Sequence, residues 1–171
     1  MKLGLILALL FCATDLKADA LRARSLVVTP VITADAYVQG DQIGTYTKLP
    51  SILTDSSTVI DLRTLAVIDN AKLKHDLQLL FFNAQPTLAS ADNAAVSFTD
   101  AVATANFIGR YAIAEADYVD TASNSQATKS PAMLLGGKGS ADLYMVIVCV
   151  DVGGCDYAAV DDLTFRFTYL E

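Results

Sequence analysis

The strand-like run near the C-terminal end of this sequence constrains it most: Leu163, Phe165, Phe167 and Tyr169 alternate with Thr164, Arg166 and Thr168. A period of two puts the apolar set on one face of a β-strand and the polar set on the other, an arrangement no helix reproduces. Upstream, Leu143 to Val150 is an unbroken run of β-forming residues and reads as a second clear strand. Two such strands need a second apolar surface to cover them.

The rest of the chain supplies it in short pieces separated by turn chemistry. Ser25 to Ile32 reads as a first strand or an extended arm, with Pro30 suited to an edge because it has no amide proton. Gly40-Asp41 and the Gly44 region read as turns, and Leu49 to Ser57 as a loop. Thr58 to Asp69 and Asp76 to Asn83 are strands joined across Asn70-Ala71-Lys72. The second carries Leu77, Leu79, Leu80, Phe81 and Phe82, which predicts burial on both faces. Pro86 to Ala95 reads as a loop or short helical turn, and Asp100 to Asn106 as a short helix with Asp100 positioned to cap it. Phe107 to Ala114 returns to strand, Asp117 to Ser130 is polar and turn-rich, and Met133 to Leu135 is a short strand ending at Gly136-Gly137. Roughly eight strands without βαβ alternation predict an all-β fold: an antiparallel β-sandwich, jelly-roll-like, with at most one or two short helices. Residues 25–171 form the single domain and residues 1–24 an N-terminal arm or signal-like segment.

The 53% apolar and 18% charged content argues for a well-filled core or a buried contact face. A net charge of −7, spread along the sequence, disfavours nucleic acid, whose binding needs clustered Lys and Arg. Lys2, the apolar run Leu3 to Ala13 and Ala18-Asp19-Ala20 have the layout of a secretory signal, with a thin positive n-region. That run is about half the ~20 residues a membrane-spanning helix needs, and Phe11 ahead of Cys12 argues against a lipid anchor.

Cys149 and Cys155 flank Val152-Gly153-Gly154, where a chain reversal would bring them within disulfide reach. The simpler reading keeps Cys149 as a buried strand residue and Cys155 as a free turn thiol. Their spacing is not that of a zinc or thioredoxin-like site.

Catalytic chemistry is sparse. His75 is the only histidine, and it reads as a solvated loop residue rather than a general base. The pairs Asp117 with Asp120 and Asp161 with Asp162 are better solvated turn residues than glycosidase carboxylates. Asp151 and Asp156 lack the spacing of a calcium loop. Gly136-Gly137-Lys138-Gly139 lacks the strand-to-helix setting of a phosphate cradle and reads as a surface turn. Tyr37, Tyr46, Tyr118 and Tyr157 fall near expected turns, where exposed rings would offer a sugar platform, although the sequence has no Trp. No catalytic residue, cofactor site or metal site is assigned.

Three segments resemble the small β-sandwich decoration, cement or auxiliary head proteins of tailed-phage capsids. Thr33-Ala34-Asp35-Ala36-Tyr37 leading into Gly40-Asp41-Gln42-Ile43-Gly44 is similar to that family's opening stretch. Leu77 to Asn83 with Pro86-Thr87 and Asp92-Asn93-Ala94-Ala95-Val96 is similar to its central strand and following loop. Asp162-Leu163-Thr164-Phe165-Arg166-Phe167 is similar to its closing strand. The resemblance implies a structural virion protein on the outer capsid surface, bound to the major capsid protein and commonly trimeric, with no nucleic-acid or membrane partner.

Leu26, Val27, Val28 and Val31 are the candidate partner-binding residues, by strand pairing or apolar docking, or are simply the first strand of the domain's own sheet. The second reading of function is a secreted or periplasmic bacterial β-sandwich binding module, with residues 1–20 cleaved and Cys149 and Cys155 oxidised.

Overall fold

A computed structural model describes residues 21–32, 36–157 and 159–171. The expected signal at residues 1–20 and the resembling residues Thr33 to Asp35 lie outside the described residues. Among the described residues ten strands form: β1 (Ala23–Val28), β2 (Gln42–Leu49), β3 (Val59–Asp69), β4 (Leu77–Phe82), β5 (Phe107–Ile113), β6 (Tyr118–Asp120), β7 (Ser125–Lys129), β8 (Met133–Gly136), β9 (Leu143–Cys149) and β10 (Leu163–Leu170). One α-helix, α1 (Asp100–Asn106), and one 3-10 turn (Glu115–Asp117) complete the described elements.

The pairing is that of one long hairpin rolled on itself. β1 pairs β10, β2 pairs β9, β3 pairs β7 and β8, and β4 pairs β5, all antiparallel. Alternate pairs go to different sheets, giving the order β1-β10-β3-β7-β6 in one and β2-β9-β4-β5 in the other, with β8 beside β3. This is jelly-roll connectivity, so the fold is the all-β sandwich the periodicities predict. β7 and β8 together act as one interrupted strand, because β7 covers Leu65–Asp69 and β8 covers Val59–Leu62 of β3.

The alternation in β10 buries Leu163, Phe165, Phe167 and Tyr169 and leaves Arg166 exposed. Across the sandwich Phe81 meets Phe167 edge to face at 6.2 Å, a preferred aromatic geometry. β4 is covered on both faces, as its apolar block predicts, and β9 is covered in the same way. Their outward Leu80, Phe82, Val146 and Val148 form a second cluster beneath Tyr46, Leu88, Val96, Phe98 and Val102. The cover comes from the long connection 83–106, which crosses the outer face of the sheet.

Where the structure differs from the sequence reading, turn chemistry is the cause. Residues 42–49 form β2 rather than turns, with Gly44 at φ 70° and a register shift between Ile43 and Thr47. The polar stretch after Asp117 contains the β6–β7 hairpin. Helix α1 has the expected bounds, but its cap is Thr99, whose hydroxyl accepts from the Val102 amide at 3.3 Å. β1 begins at Ala23, and Arg22 and Glu171 exchange backbone bonds beyond it, so the sheet includes residues assigned to the arm.

Candidate functional site

Two regions collect the residues singled out in the sequence. The first is the side of the sandwich where β1 and β2 lie as the outermost strands of their two sheets. Leu26 and Val28 are partly buried against the core, whereas Val27 is 50% and Val31 72% exposed. The four candidate residues therefore divide by strand alternation, two inward and Val27 outward, with Val31 beyond the strand end. Between the two edges runs a groove of about 290 Å³ lined by Val28, Pro30, Val31, Tyr46 and Lys48 among others.

Gly44, directly before the groove-lining Thr45, sets how closely β2 approaches the segment that carries Val31. A Cβ on Gly44 would stand 2.2 Å from the Val31 carbonyl oxygen, so only glycine lets the crossing segment approach. The Gly44 amide donates to Asp92 Oδ1 at 2.7 Å. Buried Gln42 donates from Nε2 to the Gly44 carbonyl at 2.8 Å and accepts from the Ser90 hydroxyl at 3.0 Å. The Gln42 amide donates to the Ala94 carbonyl, and the Asn93 amide donates back to the Gln42 carbonyl. Two of the resembling segments, 40–44 and 92–96, thus interlock through the Asp92 carboxylate and the backbone bonds of Gln42.

The second region is the end of the sandwich holding residues 29–32, 36–41, 70–76, 114–117, 121–124, 150–157 and 159–162. Several aspartates lie here, each with its own partner. Cys149 and Cys155 are joined by a disulfide with Cα atoms 6.0 Å apart, so Cys155 is not the free thiol of the simpler reading. Tyr37 and Cys155 exchange two backbone hydrogen bonds, of 3.0 and 2.8 Å, which clamp the disulfide loop to 36–41.

His75 lies beneath this loop, with only 15% of its side chain exposed. Its Nδ1 meets Asp151 Oδ2 at 3.0 Å, and its Nε2 accepts the Asp156 amide at 3.1 Å. That pattern assigns the Nδ1–H tautomer donating to Asp151. Both ring nitrogens are engaged in tying the β3–β4 connection to the disulfide loop, so His75 is neither solvated nor poised as a base. The hydrogen bond from His75, followed by that from the Gly153 amide, holds the Asp151 carboxyl below its usual range.

The paired aspartates do not converge. Asp117 bonds Lys129 Nζ at 2.7 Å, which with the Ala114 amide lowers its pKa. Asp120 bonds the Ser125 hydroxyl at 2.6 Å and Lys74 Nζ at 3.3 Å, and both lower its pKa. Asp161 is exposed while Asp162 is largely buried and accepts the Ala159 amide. Among the described residues, no group of three or more His, Cys, Asp or Glu side chains is arranged to hold a metal ion.

The tyrosines are a correction to the sequence reading. Tyr37 and Tyr157 are 1% exposed and Tyr118 8%, while Tyr46 is half-buried, edge to face with Tyr144 at 5.7 Å. The loops fold over the open end of the sandwich, and their aromatic rings plug it. Lys138 and Gly139 are exposed, as a surface turn requires, with Lys138 donating to the Ala105 carbonyl at 2.9 Å, while Gly137 is packed so tightly that a Cβ there would come within 2.6 Å of Leu53 Cδ1.

The outer face of the β2-β9-β4-β5 sheet also bears a groove of about 560 Å³, which the sequence did not signal. Leu80, Val96, Phe98 and Phe107 line it, with Gln78 and Arg110 among its polar residues. No described helix is long and apolar enough to cross a membrane.

No protein-family model matches the chain, and no curated protein matches it significantly.

Proposed function

We propose that this protein is a non-catalytic structural component of a tailed-phage virion, a decoration or cement protein that binds the outer capsid surface and stabilises the shell. One observation carries the reading: two outermost strands, β1 and β2, flank a shallow groove on one side of a rigid sandwich, with Val27 and Val31 exposed. Open strand edges with apolar side chains recruit a partner by strand addition or apolar docking. The partner is the major capsid protein, and a trimer of this chain is the expected assembly. The engagement of both His75 nitrogens, and the separate partners of the aspartates, support a role without turnover.

The test is binding of purified protein to shells assembled from the major capsid protein. Val27→Asp and Val31→Asp place charges where an apolar contact is proposed, and should weaken binding at least tenfold without lowering the melting temperature. Undiminished binding would remove this side from the proposal.

The disulfide also fits a second reading, a secreted or periplasmic binding module. Disulfides persist in exported proteins and on virion surfaces alike. Intact mass after expression in the native host separates the two: a start at Leu21 favours export, and an unprocessed chain favours the virion part.

A further inference from the structure

Three of the four buried side-chain polar atoms without a protein partner, among the described residues, are Asp69 Oδ1, Tyr118 Oη and Tyr157 Oη. They belong to one place in the fold. Tyr118 pairs Ala127, which pairs Val67, so Tyr118 lies across β7 from the stretch of β3 that ends two residues on at the fully buried Asp69. Asp69 Oδ2 accepts the Lys74 amide at 2.6 Å, and the next residue, His75, meets the Tyr157 ring edge to face at 5.4 Å. Burial pushes both phenols well above their usual range. The Asp69 charge adds to that rise at both rings, and Tyr118 adds to it at Tyr157. Both hydroxyls therefore stay protonated, each carrying a hydrogen with no protein acceptor, within electrostatic reach of a carboxylate whose Oδ1 has no protein donor.

We propose that one buried water molecule sits among these groups, accepting the Tyr118 and Tyr157 hydroxyl hydrogens and donating to Asp69 Oδ1. The donor and acceptor counts select this ligand. A water accepts two hydrogens and donates into the lone carboxylate oxygen, which satisfies all three atoms. A metal ion would take the phenol lone pairs and leave both O–H groups aimed at nothing. Left unmatched, each buried polar group would cost free energy on folding. The water joins β3, β6 and the β9–β10 connection, and so makes the loop end one rigid unit.

Diffraction from crystals of the whole protein, at a resolution that shows ordered water, tests the site. The expected result is a single peak about 2.6–3.2 Å from all three oxygens. No peak, a direct bond between a tyrosine hydroxyl and Asp69, or a metal-like peak at about 2.4 Å would overturn the proposal. In solution, Tyr118→Phe and Tyr157→Phe keep the packed rings and should each lower the melting temperature by about 2–6 °C. The double variant should lose less than the sum, because one water serves both hydroxyls. Additive losses would contradict a shared site.

Discussion

The Gly44 α-carbon passes under the Val31 carbonyl so closely that a methyl group at residue 44 would stand 2.2 Å from the oxygen. Gly44 also has φ 70°, which L side chains adopt with strain. Gly44→Ala therefore meets both a backbone clash and an unfavourable dihedral. It should cost about 2–4 kcal/mol, read as a lower urea midpoint with an unchanged slope.

Gln42 ties β2 to the 83–106 connection through the Ser90 hydroxyl and braces the Gly44 carbonyl of its own strand. Replacing it by Leu removes the Nε2 donor to the buried Gly44 carbonyl and the link to Ser90, and should destabilise by about 1–3 kcal/mol. Hydrogen exchange should rise across residues 88–96, while the amides of β3 and β10 stay protected. Uniform loss of protection would show that the connection is not held locally.

Reducing the Cys149–Cys155 disulfide releases a short loop whose ends are six positions apart in sequence. The chain-entropy estimate for so small a loop is about 2–3 kcal/mol. The melting temperature should fall in reductant, and Cys149→Ser with Cys155→Ser should reproduce the fall and abolish any further effect of reductant.

Acid should unfold the protein partly through the loop end. Asp117 and Asp151 have folded pKa values below the ordinary 3.8, chiefly from hydrogen bonds with Lys129 and His75. A depressed folded value means that the stabilisation is fully present above the ordinary value and is lost as pH falls through the folded one. Lys129→Met should return Asp117 toward its ordinary value and move the acid-unfolding midpoint, followed by circular dichroism, to higher pH. An unmoved midpoint would mean that the exposed pair is screened by solvent.

The strands with clean apolar periodicity were legible in the sequence. β3, β4, β9 and β10 fall within a residue of where their patterns place them, because each buries a side-chain set that only a strand aligns. β2 was hidden by Gly44, whose positive φ and bulge look like a turn in a string of letters but serve a close crossing in space. Tyr37, Tyr118 and Tyr157 were misjudged because turn residues are usually wet, and nothing local signals that these loops close over the core. The Cys149–Cys155 spacing allowed either a bond or two thiols. The choice depended on the clamp between Tyr37 and Cys155, which joins residues far apart in sequence. Leu26, Val27, Val28 and Val31 could be placed on one segment, but their division into two core contacts and two exposed valines needed the pairing of β1 with β10.

Quantitative mass spectrometry of gradient-purified virions from the native host is the most direct test of the structural role. A decoration protein should band with intact particles at a fixed ratio to the major capsid protein, unchanged by repeated banding. A chain absent from the particles, or present at a ratio that falls with each round of purification, would contradict the account.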